Sequence, residues 1–280
     1  SAPGYDNDNG IVYMYTWGVG LDGSTYDTWT QDVAITSANA GSNNRFGHRV
    51  VVSDNGDILA VAAKSPGTAG AVEIFTRGGN SNDGSTQNTW THRQTLTAVT
   101  SDGTSLNTGF GDDITMSKDG TTLIITAPNH DKTLQADAGA IYYYKWNADA
   151  STNTYTLQQT IESPETATNM KFGSSVDIND AGTRLVIGAE KFANARTMKF
   201  DSGATTFDLQ DTDIVDNNIG SGGAFTATMY DDQFVIDDKI VTTSVSPNDD
   251  FGRGVCITDN QLYVGAPDDD SDSGVSNDGT

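Results

Sequence analysis

The chain has 280 residues and a formal net charge of −23, which arises from 38 acidic and 15 basic residues. Such a surface repels nucleic acids and anionic lipids, so we expect neither as a partner. The length suffices for one large all-β domain or two ordinary domains. The longest apolar run, Ile58–Ala63, is too short to cross a bilayer, so no membrane insertion is expected. The single cysteine, Cys256, alternates with apolar residues and is expected to be a buried, inert thiol.

Taken in chain order, the predicted strands repeat one phrase. A Phe-Gly pair opens the phrase, and a Gly-Ala-Pro corner or a variant of it closes the second strand. The phrase begins at Phe46, Phe110, Phe172 and Phe251. These starts are about 64, 62 and 79 residues apart, a spacing typical of propellers and other repeat arrays. The predicted units are 46–97, 110–161 and 172–245, with partial units at 1–36 and 251–280.

Each unit reads as four strands. The first alternates after Phe-Gly, and Asp-Gly or Asn-Gly steps supply the positive φ of the tight turn that follows. The second is a continuous apolar run, as in Ile58–Ala63, which suits a strand buried on both faces. The third is aromatic, as in Gly139–Trp146, where alternation favours packing between sheets over sugar stacking. The fourth begins at Trp29, Trp90 or Tyr155 and is polar enough for an outer edge.

Four antiparallel strands with an apolar inside and a polar outside are typical of a β-propeller blade. One blade cannot bury both of its faces, so several must stack. We therefore predict an all-β propeller segment over 1–280, with about four blade equivalents and no helix of useful length. An extra stretch at about 195–220 predicts an inserted hairpin. It would either carry recognition or pack against a neighbouring chain or domain.

These phrases resemble FG-GAP repeats, the blade motif of the integrin α-subunit propeller, in their bacterial and viral variant. The residues that carry the resemblance are Phe251-Gly252, Gly265-Ala266-Pro267, Ala127-Pro128, Ala2-Pro3, Tyr13/Tyr15, Tyr142/Tyr144 and Trp90-Thr91. The match covers most of the chain except about 195–220. The resemblance implies a ring that usually closes with seven blades. Because both ends cut the repeat in its middle, we expect a segment of a longer protein, with a closed four-bladed ring as the alternative.

Acidic clusters lie in loops between second and third strands. Integrin-type blades bind Ca²⁺ between strands one and two, but the corresponding turns here are too short to supply six or more oxygens. The loops after strand two instead carry Asp6, Asp8, Asp268, Asp270 and Asp272. Carboxylates spaced by two residues suit Ca²⁺, so these five are the predicted metal ligands, and no other cofactor is expected. The alternative is a solvated turn, because Asp, Asn and Gly are ordinary turn residues.

The sequence offers little for catalysis. Its three histidines, His48, His92 and His130, lie at unrelated positions of the repeat, and no nucleophile, metalloprotease or nucleotide-binding motif occurs. We therefore predict that the chain is not an enzyme. A carbohydrate-active enzyme remains the weaker alternative, since two carboxylates at catalytic separation would not be visible in sequence.

The resemblance and the acidic composition favour a structural and interaction module of a larger extracellular assembly. The first expectation is a virion component such as a phage tail or fibre protein. The runner-up is a cell-surface adhesin or filament protein that binds protein or glycan. Expected partners are other subunits of the assembly or a receptor or glycan on a host surface. These expectations are family-level analogy, because fold alone does not determine function.

Overall fold

The structure is a computed structural model. It describes residues 1–4, 9–18, 28–39, 44–64, 69–78, 89–98, 108–148, 153–165, 167–192, 220–241 and 248–269. These residues form sixteen β-strands and no helix, and so include no helix long and apolar enough to span a membrane. The predicted inserted hairpin at about 195–220 lies outside the described residues, apart from Gly220.

Three sheets have four strands each, and each sheet is a meander of consecutive antiparallel strands. The first blade comprises β3 (Phe46–Val52), β4 (Ile58–Ala63), β5 (Ala71–Gly78) and β6 (Thr89–Thr97). The second comprises β7 (Ile114–Met116), β8 (Thr122–Ala127), β9 (Ala140–Asn147) and β10 (Thr154–Glu162). The third comprises β11 (Phe172–Ile178), β12 (Arg184–Ala189), β13 (Gly223–Tyr230) and β14 (Gln233–Ile240).

Two further sheets have two strands each. The N-terminal half-blade is β1 (Val12–Trp17) paired with β2 (Trp29–Ile35), and it corresponds to strands three and four of a unit. The C-terminal half-blade is β15 (Gly254–Ile257) paired with β16 (Leu262–Gly265), and it corresponds to strands one and two. The all-β fold of four-stranded antiparallel blades is therefore confirmed.

The second strand of each complete blade lies at the centre of the fold. Every residue of β4 and β8 is buried, as are the five residues of β12 after Arg184. The continuous apolar sequence of these strands fits sheets that are covered on both faces. Three apolar clusters fill the interfaces from the N-terminal half-blade to the third blade, and each cluster draws residues from two neighbouring sheets. Most of the hydrophobic stabilisation therefore lies between blades.

A backbone junction built on glycine joins each blade to the next. The Phe46 amide donates to the Asn9 carbonyl, and the same bond recurs from Phe110 to Ala69, from Phe172 to Ala138 and from Phe251 to Ser221, at 2.9–3.1 Å. The residue after each of these four acceptors is a glycine with φ of +80° to +90°. A Cβ on any of these glycines would lie 2.0–2.1 Å from the carbonyl oxygen of the following blade's phenylalanine. The Phe-Gly spacing is thus explained by close approach of two backbones, which only glycine permits.

A β-bulge occurs in every described fourth strand. The register skips Asp32 in β2, Arg93 in β6, Gln158 in β10 and Asp237 in β14. Three of these side chains hydrogen-bond to threonines of the adjoining third strand, as Arg93 Nε does to Thr76 Oγ1 at 2.7 Å. A bulge bends its strand and increases the local twist, which suits the outer edge of a propeller blade.

Glutamine side chains clamp one outer strand to the next. The Gln94 amide accepts from the Tyr155 backbone N–H and donates to the Tyr155 carbonyl, at 2.9 and 3.0 Å. Gln159 forms the same pair of bonds with the Phe234 backbone, at 2.8 and 2.9 Å. Gln94 and Gln159 lie at equivalent positions, opposite Ile74 and Tyr143 of the adjoining third strands. A fourth strand has no further strand of its own blade on its outer side. The clamps therefore satisfy backbone N–H and C=O groups that would otherwise lack a partner within the blade.

Candidate functional site

The candidate site is on the loop face, which we define as the end of the blades where first strands begin and second strands end. Phe46 pairs with Ala63 at this end of the first blade, and Phe172 pairs with Ala189 in the third. The Phe-Gly junctions and the loops between second and third strands therefore share this face. Loops on a rigid scaffold commonly carry recognition.

The longest described loop on this face is 128–139 in the second blade, and its own backbone orders it. Lys132 and Gln135 exchange two backbone hydrogen bonds, at 2.7 and 3.0 Å, and close a two-residue turn. The Asp131 carboxylate accepts from the Asp137 amide at 2.8 Å, which closes the base of the loop. The loop is therefore a small hairpin that stands on the blade.

Neighbouring segments anchor the same loop. The Lys171 ammonium, which precedes β11, donates to Asn129 Oδ1 at 2.8 Å and pairs with the Asp137 carboxylate at 2.9 Å. The Asn169 amide donates to the Ala136 carbonyl, also at 2.8 Å. Lys132 Nζ donates to the Ser163 carbonyl at 2.9 Å. The connection between β10 and β11 thus holds the loop in place before any partner binds.

Leu134 occupies the tip of this hairpin and is 94% exposed. Its φ is +68°, a left-handed conformation that costs a non-glycine residue roughly 1–2 kcal/mol. A strained backbone that presents an apolar side chain to water does not help the chain to fold. Such a residue is a candidate for contact with a partner.

A buried polar group supports the base of the loop. The Tyr142 hydroxyl lies 3.2 Å from His130 Nδ1, and His130 Nε2 lies 3.9 Å from Glu162. Burial, together with the Glu162 charge, raises the pKa of Tyr142 to about 12. Tyr142 is fully buried against Phe110, so the neutral hydroxyl serves packing and orientation of the loop.

Charged pairs bridge successive blades along the loop face. Lys64 pairs with Asp112 between the first and second blades, and His48 Nε2 lies 3.5 Å from the same carboxylate. Burial alone would raise the pKa of Asp112, but hydrogen bonds from His48 and Lys64 and their charges outweigh it and lower the pKa. Between the third blade and the C-terminal half-blade, Lys191 pairs with Asp250.

The pKa of the adjacent residue, Asp113, is shifted in the opposite direction. Burial raises its pKa, although the Val176 amide donates to its carboxylate at 3.0 Å and Arg49 pairs with it at 3.2 Å. In the same way, the Asp177 carboxylate accepts from the Ile257 amide at 2.9 Å. These two aspartates therefore tie the first strand of one blade to the first strand of the next.

The predicted metal ligands are only partly within the described residues. Asp6, Asp8, Asp270 and Asp272 lie outside them. Asp268 lies on the loop face, and its carboxylate is 4.0 Å from Arg253. The described residues contain no group of three His, Cys, Asp or Glu side chains placed to hold a metal. Calcium binding by the acidic loops stays a prediction.

One expectation from sequence needs revision at the level of a single residue. Cys256 is exposed, and a hydrogen bond with Asp177 raises the pKa of its thiol. The three histidines lie at unrelated positions of the repeat, and each lies within 4 Å of a carboxylate. Glu73, which attracted no attention, is fully buried and accepts from the Ala38 amide at 2.8 Å.

A scan against protein-family models found no match, and a search of curated proteins found none either. Among solved structures, the chain is similar to a putative 6-phosphogluconolactonase from Bacteroides fragilis, with a TM-score of 0.51 and 13% identity. The match covers 92% of this chain and 58% of that one, so the chain spans less than two thirds of its neighbour. It also matches the β-propeller domain of Cps50 (Swd1) from Myceliophteria thermophila over 49% of this chain and 35% of that one. That match has 12% identity and a TM-score of 0.33.

The first of these neighbours corrects one expectation. The prediction that this chain is not an enzyme is wrong, because a structure with a similar fold is described as an enzyme. The prediction had rested on histidines at unrelated positions of the repeat and on the absence of a recognisable catalytic motif. At 13% identity the similarity establishes the fold and assigns no reaction to this chain.

Proposed function

We propose that this propeller segment is an interaction module of a larger extracellular assembly and that it contacts its partner through the loop face. The ordered hairpin with Leu134 at its tip is the observation that carries the proposal. Hydrogen bonds to the connection between β10 and β11 fix the hairpin in advance, so little entropy is lost when a partner binds. An exposed apolar tip on such a support can enter a pocket of the partner as an anchor residue.

We further propose that the blades are of the FG-GAP type and that the assembly is a virion, with this chain in a tail or fibre. The four Phe-Gly junctions support the first statement, since they give the repeated residues a shared structural role. The net charge of −23 suits a protein that must stay soluble and avoid nucleic acid. The second candidate is a cell-surface adhesin or filament protein, for which the same hairpin would contact a receptor or a glycan.

A photo-crosslinking experiment in the producing culture tests the proposal. A benzophenone amino acid replaces Leu134 in the full-length protein, and in a control it replaces Val52, which is half exposed at the opposite end of a first strand. We expect illumination to join position 134, and not position 52, to one other protein or glycan of the assembly. Recovery of the adduct with particles would support the virion, and recovery with cell envelopes would support the adhesin. Absence of an adduct at 134, or equal adducts at both positions, would contradict the proposed contact.

A further inference from the structure

An amine, a side-chain amide and a carboxylate meet at the base of the hairpin 128–139. Lys171 Nζ lies 2.8 Å from Asn129 Oδ1 and 2.9 Å from Asp137 Oδ2. Because a C=O bond is about 1.23 Å long, this amine lies within about 4 Å of the Asn129 carbonyl carbon. We call Lys171, Asn129 and Asp137 the lysine triad. A nucleophile, an electrophilic carbon and a proton acceptor are thus brought together within one contact.

The fold holds both the amine and the amide in place. Lys171 has a φ of +56°, a left-handed conformation that disfavours a non-glycine residue, and the equivalent residue before Phe110 is a glycine. Its backbone N–H donates to the Asp137 carbonyl at 3.2 Å. The Asn129 backbone N–H donates to the Thr108 carbonyl at 2.9 Å. A Cβ on Gly109 would lie 3.3 Å from Asn129 Nδ2, so the amide rests against a backbone that has no side chain.

The lysine triad is more shielded from water than a surface ion pair on the opposite face. The side chains of Lys171 and Asp137 are 20% and 42% exposed, whereas those of Lys145 and Asp232, which pair at 2.8 Å, are 43% and 74% exposed. Burial makes charges costly, and transfer of one proton from an ammonium to a carboxylate leaves two neutral groups. The shielding therefore favours the step that frees the amine of Lys171.

We propose that Lys171 and Asn129 become joined by a covalent amide bridge. Asp137 takes one proton from the Lys171 ammonium, and the free Nζ attacks Asn129 Cγ after the amide turns about its terminal bond, a torsion with a broad range. The Nζ–Cγ bond forms, the Cγ–Nδ2 bond breaks, and one proton of the attacking nitrogen passes to Nδ2. Nδ2 leaves as ammonia, which takes the proton held by Asp137 and departs as ammonium. The exchange needs no oxidant and no co-reactant.

The bridge would fix the hairpin permanently to the residue that precedes β11. It would also close a loop of about 40 residues, which removes conformational freedom from the unfolded chain. We therefore expect the bridged chain to unfold at higher urea than an unbridged variant. The inference concerns the base of the hairpin and does not depend on the partner proposed for Leu134, because the bridge forms within one chain.

Mass spectrometry of the purified protein tests the proposal directly. We expect the chain, fresh or after several days in the folded state, to be lighter than its sequence mass by about 17 Da, the mass of the ammonia released. Trypsin does not cleave after an acylated lysine. Digestion should therefore yield one branched peptide that joins 119–132 to 146–184.

Three variants assign the reaction to the lysine triad. Lys171→Arg removes the nucleophile and Asp137→Asn removes the proton acceptor, so both should keep their full sequence mass. Lys145→Arg is the matched control, because Lys145 also pairs with a carboxylate at 2.8 Å but lies outside the triad, and it should still lose the ammonia. Circular dichroism should show the same β-sheet signal for all three, which separates loss of the bridge from loss of the fold.

Three results would overturn the proposal. The first is a chain that keeps its full sequence mass after several days in the folded state. The second is a loss of about 17 Da confined to a linear peptide, since an asparagine that cyclises onto its own backbone also loses ammonia but joins no second peptide. The third is a branched peptide that persists in Lys171→Arg.

Discussion

Replacing Gly139 with alanine is expected to destabilise the chain by about 2–5 kcal/mol. The left-handed backbone at this position, with φ of +90°, costs a non-glycine residue roughly 1–2 kcal/mol. The new Cβ would lie 2.1 Å from the Phe172 carbonyl oxygen and 2.6 Å from its nitrogen. Backbone atoms cannot move aside as a flexible side chain can, so the junction between the second and third blades must open, and overpacking of this kind typically costs about 1–3 kcal/mol more.

Gly18→Ala is the matched control for this substitution. Gly18 has a similar φ of +85°, but nothing lies within 4 Å of the Cβ that alanine would add. Replacing Gly18 with alanine should therefore lower the free energy of unfolding only by the cost of the left-handed backbone, roughly 1–2 kcal/mol. Urea unfolding followed by circular dichroism gives both values. Equal losses for the two variants would mean that Gly139 is needed for its dihedral angles alone and that the backbone contact contributes nothing.

Replacing Phe172 with alanine is expected to lower the free energy of unfolding by about 3–5 kcal/mol, as is usual for a buried phenylalanine. The side chain is fully buried, and its ring meets Phe225 edge to face at 5.4 Å. It belongs to the cluster that joins the second and third blades. Loss of the ring would leave a cavity at the junction that the rigid backbone contact with Gly139 prevents from collapsing.

Phe172→Leu distinguishes the role of the ring from that of the backbone. A leucine at this position keeps the backbone amide that donates to the Ala138 carbonyl, and its side chain fills most of the volume of the phenylalanine ring. We therefore expect the free energy of unfolding to fall by less than about 1.5 kcal/mol. Tyr230→Ala, at an exposed aromatic residue of β13, should change the urea midpoint little. A small loss for Phe172→Ala, comparable to that for Tyr230→Ala, would contradict a role for this phenylalanine in joining the blades.

The fold was largely predictable because it repeats. Four copies of Phe-Gly supplied the period, and the apolar run Ile58–Ala63 identified a strand covered on both faces, as the structure shows for β4. The aromatic third strand was predicted to pack between blades, which holds for Tyr142 and Tyr144. It fails for Tyr15 and Trp17, because the pattern of a strand does not reveal whether a neighbouring sheet is present to cover it.

Features that depend on pairing between strands could not be predicted. The bulge at Asp237 and the clamp from Gln159 to Phe234 follow from register and from the angle between blades, and neither leaves a local pattern in the sequence. Cys256 was expected to be buried from alternation alone, but burial also requires a covering layer. The glycines offered a usable signal, since a glycine opening the third strand recurs in each unit and marks the close approach.

The candidate site was harder to predict than the fold. The acidic loops were predicted as the site because of their charge. In the run of three aspartates after Pro267, the structure describes only Asp268 and Asp269. The hairpin that presents Leu134 has no sequence motif, because its order depends on Lys171 and Asn169, which are more than thirty positions further along the chain. A charged side chain that reaches back to an earlier loop becomes visible only once the blades are stacked.

Amide hydrogen exchange at the four phenylalanines tests the central claim, that one backbone junction links every blade to the next. Phe46, Phe110, Phe172 and Phe251 each donate an amide to the preceding unit at 2.9–3.1 Å. We predict that all four exchange as slowly as central strand amides, since breaking these bonds requires the blades to separate. The amide of exposed Leu134 gives the fast reference within the same spectrum. Exchange of the four phenylalanine amides at the rate of Leu134, with the strands themselves protected, would contradict the account.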